Sequence, residues 1–422
     1  MGLLPGTAAI GPAGQLVIGG VDVLELVAAV GTPIFIYDED HLRQRCRQAR
    51  DAFGPRVAYA SKAFLCRAMA ALAYEEGCCI DVSTGGELAV ALAAGVPAER
   101  LVLHGNNKSD AELEAAVTAG VGRIVIDSFD EMDRLSRLVA ELPGGLRPSV
   151  LVRVTPGVEA HTHEYVMTGQ DDSKFGFGLA SGAAAEAVSR LRHPGSGVRL
   201  VGLHAHIGSQ IFALESFAQA LAVIAPFFDQ LELDELCIGG GLGVAYVTGE
   251  AAPSISEWAG AVREAALAAG IAGHVSISAE PGRALVASAA ITCYTVGTIK
   301  ELPGLRTYLS VDGGMSDNPR PVLYGSGYEA FLPRQVGAER PRTVTVVGKH
   351  CESGDILVRD ACVPHNTAVG DVLATPVTGA YGHSMASNYN KVPRPPVVFV
   401  SDGSWRTVVR RETYADLLAL DS

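Results

Sequence analysis

A thiol and a carboxylate stand next to each other late in this chain. In V-G-K-H-C-E-S-G-D, residues 347–355, Cys351 and Glu352 lie between two glycines, with His350 before them. A cysteine that only fills a core normally sits in an apolar run, whereas flexible backbone flanks this one on both sides. The pattern predicts a loop that presents the thiol instead of burying it.

Lys62 directly follows a predicted strand in the segment Y-A-S-K-A. A lysine in apolar surroundings has a lowered pKa and can condense with an aldehyde cofactor, although a solvated charge at the strand end fits the position equally well. The other five lysines include Lys174, in D-D-S-K-F-G-F. Lys174 is a weaker candidate because Asp171 and Asp172 favour its charged form and no strand leads into it.

Glycine-rich turns follow the last two predicted barrel strands. One is G-G-G-L-G, residues 239–243, and the other is E-P-G-R, residues 280–283. Loops at these places in (β/α)8 barrels often bind phosphate, because glycines let backbone N–H groups approach the oxygens closely. The glycine run alone could be a plain turn, but Gly240, Gly241, Gly282 and Arg283 together predict a phosphate site.

Glu280 ends the eighth predicted strand and is expected to point into the same mouth. A carboxylate at this place could hold a pyridine ring nitrogen protonated, which makes pyridoxal phosphate (PLP) a strong electron sink. A strand-end cap or an ion pair is the alternative.

The segment H-A-H places His204 and His206 on one side of a predicted strand, as in the metal-binding pairs of barrel hydrolases. Such sites need further ligands, and only Asp127 and His104 are available, without matching spacing. The sequence therefore favours no metal. It favours a His206 ring stacked on a flat cofactor, with His204 as a hydrogen-bonded core residue.

Eight short β-branched runs alternate with alanine-rich segments, which predicts a (β/α)8 TIM-type barrel. The runs are V-A-Y-A from residue 57, C-I-D-V from 79, L-V-L-H from 101, R-I-V-I-D from 123, S-V-L-V-R-V from 149, L-V-G-L-H-A-H from 200, E-L-C-I-G-G from 235 and V-S-I-S-A-E from 275. Segments 64–76, 86–94 and 257–269 are predicted helices of barrel-covering length.

A polar group stands at or just beyond nearly every predicted strand end, where barrel active sites are built. These groups are Lys62, Asp81, Ser83, His104, Asp127, Arg153, His206 and Glu280. Residues far apart in sequence are therefore expected to share one pocket.

The pattern changes after Glu280 to short strands separated by Gly and Pro, at 289–296, 307–311, 343–347, 372–375 and 397–400. Residues 1–37 also contain strand patterns, Q-L-V-I-G and P-I-F-I-Y, which we expect to pair with the C-terminal domain. The predicted organisation is a barrel over 38–285 and a discontinuous, mostly β domain over 1–37 and 286–422.

The composition favours an enzyme of small molecules. With 33 Lys and Arg against 46 Asp and Glu, the 422 residues carry a net charge of −13, which disfavours nucleic acid and anionic membranes as main partners. Residues 1–42 hold no Lys or Arg, so no signal peptide is expected. The eight cysteines show no C-x-x-C pairs, which favours reduced thiols and a cytoplasmic location.

Several motifs together resemble the diaminopimelate decarboxylases, PLP enzymes of the alanine-racemase-type barrel fold. They are Y-A-S-K-A, H-G-N-N-K-S, D-S-K-F-G-F, G-L-H-A-H-I-G-S-Q, G-G-G-L-G, E-P-G-R, V-D-G-G-M-S-D-N-P-R-P-x-L-Y, G-K-H-C-E-S-G-D and G-A-Y-x-x-S-M-A-S-N-Y-N. The resemblance runs in order from about Thr32 to Leu418.

The resemblance implies a role for each matching residue. Lys62 resembles the lysine that binds PLP covalently, His206 the ring-stacking histidine and Glu280 the pyridinium partner. The implied cofactor contacts are Lys62, Asp81, His206, Ser209, Gly240, Gly241, Glu280, Gly282, Arg283 and Tyr381. The implied substrate contacts are Arg283, Arg320, Tyr324, Glu352 and Tyr381. Cys351 resembles the proton donor, supplied by the neighbouring subunit of a homodimer.

The implied reaction is the decarboxylation of meso-diaminopimelate to lysine. Arginines match the distal carboxylate of that substrate and Glu352 its distal ammonium. Two positions depart from the family pattern: Gly382-His383 replaces an expected Cys-Tyr, and Ala205 replaces a small polar residue. A paralogous decarboxylase for another amino acid, or a non-catalytic homologue that binds a partner enzyme, remains an alternative.

Overall fold

The computed structural model describes residues 2–143, 145–158 and 173–422. The chain divides into two compact units, here called the β unit and the barrel unit. The β unit comprises Met1–Arg45, Val244–Ala251 and Leu285–Ser422, and the barrel unit comprises Cys46–Gly243 and Ala252–Ala284. The domain boundaries predicted from the sequence, after residues 37 and 285, remain predictions.

The chain begins with short strands and two helices. They are β1 Ala9–Ile10, β2 Leu16–Ile18, β3 Val21–Asp22, α1 Val23–Val30, β4 Ile34–Asp38 and α2 Glu39–Phe53. Helix α1 begins where the Asp22 carboxylate accepts hydrogen bonds from the N–H groups of Leu24 and Glu25.

Eight parallel strands form the barrel, as predicted. They are β5 Ala58–Ala60, β6 Cys79–Val82, β7 Leu101–Leu103, β8 Arg123–Ile126, β9 Ser149–Thr155, β11 Arg199–Ala205, β12 Glu235–Cys237 and β13 Ser276–Ser278, with the short β10 Phe177–Gly178 beside β9. Hydrogen bonds from Ala58 N to Ala279 O (3.0 Å) and from Ala60 N to Pro281 O (3.2 Å) join the first strand to the segment that follows the last. These bonds close the barrel.

Helices alternate with the barrel strands. They are α3 Arg67–Glu75, α4 Gly85–Ala93, α5 Asp110–Ala119, α6 Phe129–Glu141, α7 Ala183–Arg192, α8 Glu215–Asp229 and α9 Ile255–Ala268. Alanine dominates several of them because a small side chain allows helices to lie close to the strands.

An apolar cluster fills part of the barrel and fixes which side chains line its mouth. Its buried members include Val102, Val125 and Leu151. Because alternate strand residues point to the same side, the residues two positions further on, His104, Asp127 and Arg153, also point inward. The polar ring at the mouth therefore lies one layer above the apolar cluster.

The C-terminal part of the chain is mostly β. Its elements are α10 Arg283–Val286, β14 Ala290–Leu302, β15 Arg306–Val311, α11 Arg320–Tyr324, β16 Arg342–Val347, β17 Ile356–Val363, β18 Val372–Pro376, β19 Val397–Ser401, β20 Ser404–Val409 and α12 Tyr414–Leu418. The large sheet has the order β17-β16-β15-β14-β4-β19-β20, and β18 also pairs with β14. The N-terminal strand β4 lies inside this sheet, antiparallel to β14 and parallel to β19.

The segment Q-L-V-I-G belongs to the same unit as the C-terminal strands, as expected, but its backbone does not pair with them. Strand β2, which contains this segment, pairs with β1 and β3 in a separate three-stranded sheet. Leu16 and Ile18 are instead buried in a core cluster that includes Ile36 and Val398. The segment thus contributes to the core of the β unit by packing and not by backbone pairing.

Candidate active site

A buried carboxylate with two imidazole partners lies at the mouth of the barrel. Glu280 accepts hydrogen bonds from His104 Nε2 (3.1 Å) and His204 Nε2 (2.8 Å), one on each oxygen. Asp81 Oδ1 lies 3.7 Å from the same His104 nitrogen. The structure thus assembles four residues that end four separate strands, and the prediction that His204 is hydrogen-bonded in the core is confirmed.

The charges in this cluster depend on one another. Burial alone would raise the pKa of Glu280, but the facing His104 and His204 rings hold it well below its usual range. Burial also disfavours the His104 cation, yet Glu280 and Asp81 together raise the pKa of His104 to about 9. Burial lowers the pKa of His204. At neutral pH the cluster therefore contains an anionic Glu280, a cationic His104 and a neutral His204.

The same cluster has the composition of a metal site, since ligand atoms of His104, His204 and Glu280 lie within 4.8 Å of one another. Both imidazoles, however, direct Nε2 at a carboxylate oxygen at hydrogen-bond distance. A nitrogen that donates a proton there cannot also offer its lone pair to a metal. In this arrangement the two imidazoles hold the Glu280 carboxylate in one orientation.

Lys62 lies in a 3₁₀ turn, Ser61–Ala63, directly after β5. The expected apolar surroundings are not observed, because Lys62 is exposed while Ser61 and Ala63 are buried. Burial lowers the pKa of His206 well below its usual value, and the positive charge of Lys62 adds to this effect. Lys62 is therefore within electrostatic reach of the mouth residues.

Lys174, the weaker candidate, is exposed, and its Nζ lies 5.0 Å from the centre of the Phe175 ring. Asp171 and Asp172, on which its predicted charge depended, lie outside the described residues.

The predicted phosphate-binding residues meet at one side of the mouth. Arg283 Nη2 donates a hydrogen bond to Ser209 Oγ (3.0 Å), and Gly240 N–H donates to His206 Nδ1 (3.2 Å). The second bond fixes the orientation of the His206 ring and leaves its proton on Nε2.

Three glycines at this corner have no room for a side chain. A Cβ atom at Gly240 would overlap the carbonyl oxygen of Glu280, and one at Gly282 would lie 3.0 Å from the Cβ of Ala60. Gly241 has φ +110°, which residues with side chains rarely adopt. The corner is therefore a backbone cradle beside a serine and an arginine, which suits a phosphate group.

A buried lysine to which the sequence analysis assigned no role connects segments next to the barrel mouth. Lys108 donates to Glu131 Oε1 (2.7 Å), Gly105 O (2.7 Å) and Val125 O (2.6 Å). Glu131 in turn accepts from Asp127 N (3.1 Å). This pair ties the loop after β7 to the end of β8, and its only sequence signal was the motif H-G-N-N-K-S.

The Cys351 loop connects β16 to β17 in the β unit. Cys351 and Glu352 are both exposed, and the hydroxyl of Tyr389 donates a hydrogen bond to Glu352. The buried Asp355 carboxylate accepts from His350 N (2.9 Å) and from Met315 N (2.7 Å). The loop thus presents the thiol, as predicted, from an anchored base.

His350 connects this loop to two other segments. Its Nε2 lies 2.8 Å from Ser316 Oγ, and its Nδ1 lies 3.0 Å from Asn390 Oδ1. Since the amide oxygen can only accept, Nδ1 donates to it, and the serine hydroxyl forms the second contact of the ring. His350 therefore links the loop to both segments.

Arg320 opens helix α11 and is 5% exposed. Its Nη1 donates to the hydroxyl of Tyr328 (2.7 Å), and its guanidinium carbon lies 4.0 Å from the centre of the Tyr246 ring. Among the residues that the structure describes, Arg320 forms no ion pair with a carboxylate, and its buried Nε has no hydrogen-bond partner. A buried cation in this state calls for an anionic ligand.

Two further predicted residues of the β unit are half-buried, Tyr324 and Tyr381. Tyr381 has φ +57°, an uncommon conformation for a bulky residue and one that is enriched at binding sites. The unexpected His383 packs edge-on against Phe35, with ring centres 5.7 Å apart, and burial lowers its pKa to about 4.

The predicted site residues are distributed over both units. The barrel unit carries Lys62, Asp81, His206, Ser209, Gly240, Gly241, Glu280, Gly282 and Arg283, and the β unit carries Arg320, Tyr324, Cys351, Glu352 and Tyr381. Sequence reasoning missed Tyr246 and Tyr328, for which no motif was singled out.

Comparisons with known proteins agree with this geometry. Residues 39–287 match the family model described as "Pyridoxal-dependent decarboxylase, pyridoxal binding domain". The chain is 47% identical to the diaminopimelate decarboxylase of Halalkalibacterium halodurans, over 99% of this chain and 97% of that protein. It is also 47% identical to that of Mycobacterium bovis, over 97% of this chain and 95% of that protein.

Among solved structures, the chain resembles the diaminopimelate decarboxylase of M. jannaschii in co-complex with L-lysine. The TM-score is 0.91 at 33% sequence identity, and the match covers 99% of this chain and 98% of that one. Within the described residues, no helix is both long and apolar enough to span a membrane.

Proposed function

The chain belongs to the pyridoxal-dependent decarboxylases and, among them, to the diaminopimelate decarboxylases, and we propose on this premise that it converts meso-2,6-diaminopimelate to L-lysine and CO₂. This is the final step of lysine biosynthesis.

The observation that carries the substrate assignment is the buried Arg320 without an anionic partner among the described residues. Diaminopimelate has a distal carboxylate that a guanidinium pairs with in two parallel hydrogen bonds, whereas a plain diamine product or a substrate with a bare distal amine has none. Arg320 would bind this carboxylate together with Arg283, and Glu352 would bind the distal ammonium. Tyr324 and Tyr381 would complete the substrate contacts.

We propose PLP as the cofactor, and two observations support the fit. The glycine cradle beside Ser209 and Arg283 suits its phosphate. Buried His204 Nδ1 has no hydrogen-bond partner among the described residues, which leaves a polar atom at the mouth for a ligand. When bound, PLP supplies an electron sink for the bonding pair that remains after CO₂ departs.

Different residues of the chain would bind the cofactor, orient it and donate the proton. Lys62 would hold the cofactor covalently, Glu280 would face the ring nitrogen, and His206 would stack on the ring. Glu280 suits its task because its two imidazole partners keep it anionic and fixed in orientation. Cys351 would donate the proton to the carbon that has lost its carboxylate.

We further propose that the enzyme is a cytoplasmic homodimer in which each chain supplies Cys351 and Glu352 to the barrel of its partner. The exposure of both side chains on an anchored loop supports this arrangement.

Release of CO₂ from meso-diaminopimelate by the PLP-loaded protein tests the function. Rates on ornithine and lysine, measured in parallel, should be at least 100-fold lower, as expected for a site that requires the distal carboxylate to fill a buried ion pair (about 10²-fold or more). Faster turnover of ornithine or lysine would favour a paralogous decarboxylase, and a PLP-loaded protein inactive on all three would overturn the assignment.

A further inference from the structure

Two tyrosines hold the Arg320 guanidinium in a single orientation. The hydroxyl of Tyr328 accepts a hydrogen bond from Nη1 (2.7 Å), and the ring of Tyr246 covers one face of the guanidinium, with its centre 4.0 Å from the guanidinium carbon. The centres of the two tyrosine rings lie 5.3 Å apart, and the ring planes form an angle of 75°. Tyr246 is 4% and Tyr328 5% exposed, so both side chains are fixed by packing.

The backbone on both sides of this pair is also fixed. Tyr246 N donates to Glu250 Oε2 (2.7 Å), and Thr248 N donates to Glu329 Oε1 (2.6 Å). The second bond joins the segment that carries Tyr246 to the residue that follows Tyr328. The two tyrosines therefore form a rigid holder, which we call the tyrosine clamp.

The clamp leaves one edge of the guanidinium for a ligand. Nη1 is used by Tyr328, and the face is covered by Tyr246, whereas the buried Nε has no hydrogen-bond partner within the described part of the chain. A carboxylate that pairs side-on with a guanidinium uses its Nε and the adjacent Nη nitrogen. The free edge therefore matches a carboxylate in one orientation.

We infer that Tyr246 and Tyr328 are positioning residues that determine substrate specificity, because they hold Arg320 so that its Nε edge meets the distal carboxylate of an amino acid. This inference rests on the proposed function, and it adds that selection against ligands without a carboxylate depends on the clamp as well as on Arg320. Pre-organisation lowers the entropy that Arg320 loses on binding.

The test compares two ligands of the PLP-loaded enzyme that differ by one carboxylate, L-lysine and 1,5-diaminopentane. Their dissociation constants are measured by calorimetry for the wild type, Tyr328→Phe, Tyr246→Leu and Tyr246→Phe. Tyr328→Phe removes only the hydroxyl, Tyr246→Leu removes the ring, and Tyr246→Phe retains the ring. Tyr414→Phe, at a residue that is 76% exposed in the same unit, is the matched control.

Tyr328→Phe and Tyr246→Leu should each weaken lysine binding about tenfold, as expected for loss of one contact to a charged group, and leave diaminopentane binding unchanged. Tyr246→Phe should retain most of the lysine affinity. In Tyr328→Phe and Tyr246→Leu, KM for diaminopimelate should rise by a larger factor than kcat falls. Equal weakening of both ligands, or no change in lysine binding, would overturn the inference. Failure of the wild type to turn over diaminopimelate would instead overturn the proposed function.

Discussion

Lys62 is the residue on which covalent attachment of the cofactor is proposed to depend. Lys62→Ala should abolish the visible absorption of the purified protein after dialysis, while the fold survives because an exposed side chain contributes little to stability. Absorption spectra and circular dichroism measure the two effects. Lys174→Ala is the matched control and should keep the colour, and a borohydride-reducible adduct on Lys174 would refute the assignment of Lys62.

Arg320 is the residue on which recognition of the distal carboxylate depends. Arg320→Ala should lower kcat/KM for diaminopimelate, because it removes one partner of a buried charge pair. The corresponding loss of transition-state stabilisation should be about 2–5 kcal/mol. The PLP content should not change. Arg306→Ala, at an exposed position, serves as the control. An unaffected kcat/KM in the Arg320 variant would make this arginine structural.

His104 gives the barrel mouth a pH dependence. Burial opposes its charge, but Glu280 and Asp81 raise its pKa to about 9, above the ordinary value of 6.5. A raised pKa stabilises the folded state fully below pH 6.5, and this stabilisation is lost as the pH rises through 9. The difference in unfolding free energy between wild type and His104→Gln should therefore shrink by about 3 kcal/mol from pH 6.5 to 10.

Urea denaturation of both proteins at several pH values measures this difference. Asp81 and Glu280 contact His104, and their own titration changes when it is replaced, so the test reads the direction of the trend. A difference that stays constant with pH would show that His104 does not carry a raised pKa.

At the scale of elements, strands that are buried on both faces could be predicted because they form continuous apolar runs. Strands β17 and β20 were missed for the opposite reason. The sheet has them at its two ends, and exposed residues such as Arg359 and Asp360 on β17 and Trp405 on β20 interrupt the pattern. Edge strands need fewer apolar residues, and so they give a weaker signal.

Some features of the site follow from strand ends, and others depend on contacts that no sequence pattern reports. Glu280 and His104 could be placed at the mouth because strand ends converge. The bulge between Leu200 and Gly202, which shifts the register of β11 against β9, could not be predicted from the sequence. This bulge places His204 opposite Arg153. The tyrosine clamp was missed because Tyr246 and Arg320 meet only through the tertiary fold.

The Cys351 loop offers a test in which two glycines of one element differ only in their surroundings. A Cβ atom at Gly348 would overlap the Asp355 carboxylate and lie 2.5 Å from Gly314 Cα, whereas one at Gly354 would meet no atom within 4 Å. Gly348→Ala should therefore displace the anchor of the loop and destabilise the protein by about 1–3 kcal/mol.

The expected consequence is a fall in kcat with little change in PLP content, because the proposed proton donor moves while the cofactor residues do not. Thermal unfolding and steady-state kinetics measure both effects. Gly354→Ala should behave as wild type. Equal effects of the two substitutions would show that the close approach at Gly348 does not position Cys351.

At the scale of the whole molecule, the proposed exchange of Cys351 between chains predicts that two inactive variants restore each other. Lys62→Ala and Cys351→Ala chains should each be nearly inactive as homodimers. A mixed dimer has one site with both Lys62 and Cys351 intact and one site with neither. Equal amounts of the two chains make half the dimers mixed, so activity should recover to about a quarter of wild type under two-fold exchange.

The two chains must be co-expressed with different affinity tags, because a large obligate interface exchanges slowly. Tandem purification then isolates the mixed dimer, whose activity should be about half that of wild type, since one of its two sites is complete. A mixed dimer of Lys62→Ala with Lys62→Ala/Cys351→Ala is the control and should stay inactive. If the purified mixed dimer of the two single variants is inactive as well, Cys351 acts in the site of its own chain or takes no part in the reaction.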